Sequence, residues 1–222
     1  MQKIEALGWL AGGIAHDLNN ALVPVLALAK RAHARLPEDS RERGMLDLVI
    51  EGAHRAKALV QQILAFSRKE VPVQGPLDFS ALVRHSIAML RASLPTTIRL
   101  VTDIAPVGKL YGDAGQLHQV LVNLVTNAAH SIGLRQGTIT LTLNSAGDRA
   151  KLSVVDDGAG MEASVLARVF EPFFTTKPVG EGTGLGLSVV HGIVTNHDGT
   201  ISVESKLNAG ARFDVLLPLL PD

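Results

Sequence analysis

The sequence predicts an α+β protein in which a two-helix hairpin precedes a two-layer α/β sandwich. In the first third of the chain, apolar residues recur every three or four positions, which is typical of amphipathic helices. Further along, helical segments alternate with short apolar runs typical of strands. Between the two regions, Pro72 and Pro76 interrupt the helical period and indicate a linker at residues 70–77. The hairpin is therefore assigned to residues 1–69 and the sandwich to residues 78–222.

Two helices are predicted in the hairpin, joined by a turn at residues 36–40. The first covers about residues 2–35 and carries the apolar stripe Leu7, Leu10, Ile14, Leu18, Leu22 and Val25. The second runs to about residue 68 and carries Met45, Val49, Ala53, Ala56, Val60 and Ile63. Because two helices bury only one stripe each, we expect a homodimer in which paired hairpins form a four-helix bundle. A two-helix cap packed on the second domain is the alternative.

A polar cluster is predicted on the exposed face of the first helix. His16 lies about 120 to 200 degrees around the helix axis from the apolar stripe. Asp17 is its neighbour, and Asn20 lies one turn further on the same face. An imidazole oriented by a carboxylate is a nucleophile that can accept a phosphoryl group. Such pairs are also common on solvated helix surfaces, so the cluster alone leaves both interpretations open.

The second domain is predicted to contain three helices and five strands. The helices are expected at about residues 79–91, 113–132 and 187–196, and the strands at 98–104, 138–144, 151–155, 201–205 and 212–217. Asp113, followed three residues later by Gln116, resembles the start of a capped helix. Helices on one side of a mixed or antiparallel sheet form a two-layer arrangement.

The helix predicted at residues 113–132 has one apolar and one uncharged polar face. Its polar residues fall within about 80 degrees of arc; they are Gln116, Gln119, Asn123, Asn127 and His130. A solvated face normally carries Lys and Glu, so an amide-rich stripe indicates a surface that contacts a ligand or a hydrated metal. A merely neutral surface is the alternative.

The glycine-rich run at residues 182–188 is a candidate phosphate-binding loop. Its glycines Gly182, Gly184 and Gly186 allow positive φ and a close approach of the backbone to a charged ligand. A helix that begins at Gly186 would direct free N–H groups and the positive end of its dipole at phosphates. The same spacing occurs at ordinary junctions between loops and helices.

Two segments between these motifs add candidate residues. Asp156 ends a buried strand, is followed by Gly158 and Gly160, and can accept a hydrogen bond from an exocyclic amine such as adenine N6. In residues 161–181, three phenylalanines cluster close to Lys177. This segment is either a mobile flap whose lysine binds phosphate, or a small apolar cluster that packs beside the main core.

The amino-acid composition of the chain excludes several functional classes. The chain has 21 Lys and Arg residues and 21 Asp and Glu residues, so it carries no net positive charge that would attract nucleic acid or an anionic membrane. The absence of cysteine excludes disulfides and thiolate metal sites. The longest uncharged apolar run, residues 21–29, is too short to span a membrane. We expect a cytoplasmic protein, or the cytoplasmic part of a longer chain, that contacts neither nucleic acid nor membrane.

Five ordered motifs resemble the catalytic core of a sensor histidine kinase. They are Ala-His-Asp-Leu-Asn-Asn at 15–20, Asn-Leu-Val-Thr-Asn at 123–127, Asp-Asp-Gly-Ala-Gly at 156–160, Phe-Glu-Pro-Phe-Phe at 170–174 and Gly-Thr-Gly-Leu-Gly-Leu at 182–187. The resemblance implies a dimerisation and histidine-phosphotransfer hairpin followed by an ATP-binding domain of the Bergerat type.

The resemblance also implies a role for each matched residue. His16 matches the phosphorylated histidine, Asp17 the acidic neighbour that assists it, and Asn20 the residue that positions water for dephosphorylation of a response regulator. Asn127 matches the Mg²⁺ ligand and Asp156 the adenine-reading aspartate. The nucleotide site is completed by Asn123, His130, Gly158, Gly160, Lys177, Gly182, Thr183, Gly184, Leu185 and Gly186.

We therefore predict an ATP- and Mg²⁺-dependent kinase that autophosphorylates on His16 and passes the phosphoryl group to an aspartate of a response-regulator receiver domain. The alternatives are a Bergerat-fold ATPase or conformational switch without phosphotransfer, and a binding-only scaffold. Fold relatives that hydrolyse ATP use a glutamate four positions before the metal asparagine. That position is Asn123 here, and an amide cannot act as a base.

Overall fold

The structure is a computed structural model of the 222-residue chain. It describes four parts of the chain: residues 21–37, 40–67, 74–177 and 183–221. The chain divides into two compact units, Met1–Glu70 and Val71–Asp222. No helix among the described residues combines the length and the apolar character that a membrane-spanning helix needs.

The described residues of the first unit form two helices. α1 covers residues 21–33, and α2 runs over Arg41–Ser67. Ser40 caps α2, because its hydroxyl accepts a hydrogen bond from Arg43 N–H at 3.2 Å. His33 of α1 reaches across the turn, and its Nε2 lies 2.9 Å from Asp47 Oδ1 of α2. The contact between His33 and Asp47 joins the two helices close to the turn.

The second unit combines four helices and seven strands within its described residues. The helices are α3 (Phe79–Ser93), α4 (Ala114–Ile132), α5 (Ala163–Leu166) and α6 (Gly186–Asn196). The strands are β1 (Gly75–Asp78), β2 (Ile98–Ile104), β3 (Lys109–Gly112), β4 (Gly137–Ala146), β5 (Arg149–Asp156), β6 (Thr200–Ser205) and β7 (Ala211–Pro218). The main sheet has the order β2-β4-β5-β7-β6, with β2 parallel to β4 and the other pairs antiparallel.

One face of this sheet is buried beneath the helices. Alternate residues of β4, namely Ile139, Leu141 and Leu143, are fully buried and belong to the same apolar core as Leu121 and Leu124 of α4. Burial of each such side chain contributes about 2 kcal/mol. The arrangement confirms the predicted α+β class and the two-layer sandwich.

Three elements differ from the sequence prediction. Strands β1 and β3 and helix α5 each contain 4 residues, too few to display a period. β1 pairs antiparallel with β3, and Gly75 stands opposite Gly112. A strand thus begins at Gly75, within the residues 70–77 that the sequence predicts to be a linker. Pro76 is tolerated since β1 has a single neighbour in this two-stranded sheet.

Candidate functional site

Asp156 lies at the end of β5 and is only 5 % exposed. Its carboxylate accepts a hydrogen bond from Gly158 N–H at 2.8 Å, and it is also bonded by the Ser131 hydroxyl and by the backbone N–H of Ala211. Burial raises the pKa of Asp156 above its ordinary value, and the three hydrogen bonds oppose that shift. A largely desolvated acceptor thus stands at the end of a central strand.

The turn after β5 is held close to its neighbours by two glycines. A Cβ on Gly158 would lie 2.0 Å from Ser131 Oγ, and a Cβ on Gly160 would lie 2.0 Å from Lys206 O. Gly160 also has a φ of 66°, a conformation that favours glycine. Ala159 N–H donates to Ser131 O at 3.0 Å. The turn therefore packs directly on α4 and on the loop between β6 and β7.

Ser131 is a site residue that the sequence analysis missed. It lies on α4 and contacts the turn through both its carbonyl and its hydroxyl. The signal was present in the sequence, since Ser131 follows Asn127 by four residues and so extends the same polar face by one turn.

The polar face of α4 meets the first residue of α6. Asn123 Nδ2 donates to Gly186 O at 3.3 Å. A Cβ on Gly186 would lie 3.7 Å from Asn127 Nδ2, so the two asparagines and this helix start are neighbours. Leu185, the residue before α6, provides no side-chain cap. The arrangement leaves the amide side chains beside the N terminus of α6, where backbone N–H groups favour an anion.

His130 of α4 interacts electrostatically with Lys177. Burial lowers the pKa of His130, and the positive charge of Lys177 lowers it further. Both effects favour the neutral imidazole. Thr183 belongs to the glycine-rich run, and its hydroxyl accepts a hydrogen bond from Leu185 N–H at 3.4 Å.

In the segment at residues 161–181, one phenylalanine packs against the core and another contacts a charged side chain. Phe170 is partly buried against the core, and its ring centroid lies 5.4 Å from that of His191. The Arg168 guanidinium lies 4.3 Å from the ring centroid of Phe174. The contacts of Phe170 favour core packing for this part of the segment.

The glycine-rich run is joined to this segment through Gly184. Phe173, which is 56 % exposed, donates its N–H to Gly184 O at 2.9 Å. Gly184 has a φ of 63°, and a Cβ there would lie 2.3 Å from the carbonyl carbon of Phe173. Glycine is therefore required at this position by both the backbone conformation and the close approach.

Two family models match the chain. The His Kinase A (phospho-acceptor) domain matches residues 6–72. The histidine kinase-, DNA gyrase B- and HSP90-like ATPase matches residues 112–221. The chain belongs to the histidine kinase family. It is a histidine kinase catalytic core, and its second unit is an ATP-binding domain, as the sequence analysis predicted.

Curated relatives of this histidine kinase core include two sensor kinases. The sensor histidine kinase ZraS of Klebsiella oxytoca is 37% identical over 221 residues, which cover 98% of this chain and 47% of that protein. The sensor kinase CckA of Brucella abortus is 37% identical over 235 residues, which cover 99% of this chain and 25% of that protein. The chain thus spans about half the length of ZraS.

Solved histidine kinases share the fold. Full-length ShkA in complex with AMPPNP has a TM-score of 0.80 at 25% identity over 96% of this chain and 46% of that one. ThkA in complex with the response regulator protein TrrA has a TM-score of 0.68 at 23% identity over 99% of this chain and 64% of that one.

The structure places seven of the predicted nucleotide-site residues in two groups. Asn123, Asn127, Leu185 and Gly186 lie around the start of α6, and Asp156 lies with Gly158 and Gly160 in the turn after β5. Gly182 is outside the described residues, and so are His16, Asp17 and Asn20. The individual roles assigned to these residues stay predictions.

Proposed function

We propose that this histidine kinase core transfers the γ-phosphoryl group of ATP to His16 and that a response regulator then receives it. The observation that most strongly supports this proposal is that the phospho-acceptor family model covers residues 6–72, a range that includes His16. The hairpin of residues 1–69 would carry the acceptor. The catalytic domain, proposed from the sequence to begin at residue 78, would include β1 and so begin by Gly75.

Adenine recognition is assigned to Asp156. A carboxylate offers about four acceptor positions. Gly158, Ser131 and Ala211 supply three donors to it, which leaves room for one further donor. The exocyclic amine of adenine fits that position, whereas guanine presents an oxygen there that would face the carboxylate as a second acceptor.

The triphosphate is assigned to the start of α6 and the facing side of α4. The uncapped N terminus of α6 suits phosphate oxygens. Mg²⁺ prefers oxygen ligands and is commonly bound by few protein groups together with substrate phosphates, so the Asn127 amide oxygen fits this ion. A Mg²⁺ ion there would neutralise charge that develops on the phosphates. Lys177, which acts electrostatically on His130, supplies a further positive charge.

The transfer step uses a neutral His16. One ring nitrogen attacks the γ-phosphorus in line with the bridging oxygen, the bond to that oxygen breaks, and ADP leaves. The other ring nitrogen keeps its proton and donates it in a hydrogen bond to Asp17, which stabilises the cationic product. A receiver aspartate then attacks the phosphohistidine, and the imidazole leaves as the neutral ring.

Hydrolysis of ATP is the weaker alternative. Asn123 occupies the position where a catalytic base would be needed, and its side chain donates to Gly186 O. An amide cannot accept a proton from water at neutral pH. This favours transfer to a protein acceptor over attack by water.

A homodimer is proposed from the first unit. Apolar side chains are exposed on both of its helices: Val23, Val25, Leu28, Met45, Leu48 and Val49. An apolar surface of this kind is typical of an interface. Pairing of two hairpins would bury it in a four-helix bundle.

Substitution of Asp156 by asparagine is expected to weaken ATP binding. The amide has one acceptor oxygen with two lone pairs, too few for the three protein donors and the adenine amine, so its NH₂ group meets other donors, a mismatch worth about 1 to 3 kcal/mol. The measurement is calorimetric titration with ATP and, as control, with GTP, which wild type should bind poorly. Equal wild-type affinities for ATP and GTP would refute the role of Asp156.

Substitution of Asn20 by alanine is expected to separate two activities. Labelling of His16 should persist, because Asn20 is neither the nucleophile nor its acidic neighbour. Dephosphorylation of the receiver should slow about tenfold or more, because alanine cannot hold a water in line with the phosphoaspartate.

The matched control is Asn19→Ala, which removes the neighbouring amide. The decay of purified phosphorylated receiver is followed with wild type and both variants. If wild type and Asn20→Ala accelerate the decay equally, Asn20 has no part in the phosphatase step.

A further inference from the structure

His197 is a buried histidine whose ring nitrogens are both hydrogen-bonded. It directly follows α6 and is 4 % exposed. Its Nδ1 lies 2.8 Å from Ile193 O, and its Nε2 lies 3.0 Å from Asp113 N. Since a backbone N–H can only donate, Nε2 accepts and the ring proton resides on Nδ1, which donates to Ile193 O. The neighbours therefore select one neutral tautomer.

The hydrogen bond at Nε2 joins two helix ends. Asp113 is the N-cap of α4, where its Oδ1 accepts from Gln116 N–H at 2.9 Å. His197 is the C-cap of α6. Gly112 leaves space for the ring, because a Cβ there would lie 2.8 Å from His197 Cδ2. His197 thus links the start of α4 to the end of α6.

The other end of α6 is the one assigned to the triphosphate. There Asn123 Nδ2 donates to Gly186 O at 3.3 Å. Between these two hydrogen bonds α6 has 11 residues, a length of about 16 Å. Between the two ends, Val190 and Val194 of α6 are fully buried in the apolar core. Hydrogen bonds are directional, so the ones at the two ends add to the apolar packing a constraint on the position of α6 along α4.

We propose that His197 is a positioning residue of the nucleotide site, which fixes α6 along α4 and so holds the N terminus of α6 beside Asn123 and Asn127. The proposal rests on the proposed function, in which that N terminus receives the triphosphate. Asp156 lies on β5 and has its own hydrogen bonds. Loss of the His197 link should therefore affect the triphosphate and leave adenine binding intact.

If the imidazole of His197 is removed, Gln116 can replace it as the acceptor for Asp113 N–H, which should keep the variant folded. In a capping box, this residue accepts a hydrogen bond from the N–H of the N-cap residue. Here Asp113 N–H donates to His197, and Gln116 Oε1 is buried without a hydrogen-bond partner among the described residues. When the acceptor at residue 197 is removed, Gln116 can bond Asp113 N–H. Helix α4 then stays capped, but its link to α6 is lost.

Two substitutions that differ by one methylene test the proposal. Glutamine places its amide oxygen as many bonds from Cα as Nε2, so His197→Gln keeps an acceptor for Asp113. Asparagine reaches only the Nδ1 position, so His197→Asn keeps a donor for Ile193 O and loses the link. By calorimetry, we expect His197→Asn to bind MgATP about tenfold more weakly and His197→Gln to stay within about threefold of wild type. By NMR titration, the affinity for adenosine should stay within about twofold in both.

Three results would overturn the positioning role while wild type binds MgATP normally. They are equal MgATP affinities of the two variants, a parallel loss of adenosine and MgATP binding in His197→Asn, and absence of a scalar coupling across the N–H···N hydrogen bond between Asp113 and His197 in ¹⁵N-labelled wild type. The coupling is measured in wild type, so its absence would overturn the proposal even if a variant does not fold. Wild type that binds no MgATP would overturn the proposed function as well.

Discussion

Replacement of His16 by glutamine is expected to reduce incorporation of labelled γ-phosphate to background. Glutamine keeps polarity and similar size, but its amide nitrogen is not nucleophilic. ATP affinity should stay within about twofold, because acceptor and nucleotide site belong to different units of the chain. The measurement combines labelling with calorimetric titration of the same preparations.

The control for this experiment is His85→Gln, which changes an exposed histidine of α3. It should label like wild type, and the wild-type label should be labile in acid and stable in base. Undiminished labelling of His16→Gln, or an acid-stable label in wild type, would remove His16 from the mechanism.

Replacement of Gly158 by alanine is expected to weaken ATP binding about a hundredfold, the upper range for overpacking in a tight site. The new Cβ would lie 2.0 Å from Ser131 Oγ and 2.5 Å from Asp156 Oδ1. One of these groups must move. Either movement disturbs the carboxylate that is proposed to read adenine, because Ser131 and Gly158 both donate to it.

The matched control is Gly192→Ala on the same unit. A Cβ on Gly192 meets no atom within 4 Å, and alanine in a helix is more stable than glycine by about 1 kcal/mol. This variant should bind ATP normally and unfold at the same or a higher temperature. If Gly158→Ala binds ATP like Gly192→Ala, the turn after β5 does not hold the adenine acceptor.

The elements that the sequence predicted correctly are those whose signal is local. Helix α4 displays its period over 19 residues, and Asp113 caps it as expected. β1 and β3 are stable because they pair with each other, from Gly75↔Gly112 to Asp78↔Lys109. That pairing spans more than thirty positions of the chain and leaves no pattern within either strand.

The same distinction holds in the candidate site. Asn123, Asn127 and Asp156 belong to motifs whose spacing is visible in the sequence. His197 could not be recognised in this way, because its role depends on Asp113, 84 positions earlier in the chain. Gln116 illustrates the reverse case. Its spacing predicted a capping partner for Asp113, but the distant histidine takes that hydrogen bond.

The most direct test of the phosphotransfer proposal is to locate the phosphoryl group after incubation of the wild-type chain with Mg²⁺ and γ-labelled ATP. Peptides are prepared at neutral to alkaline pH, sequenced by tandem mass spectrometry and compared with the release of free phosphate. The account predicts phosphate on His16, with labelled protein formed faster than free phosphate. Phosphate on another residue, or release of free phosphate without any labelled histidine, would contradict it.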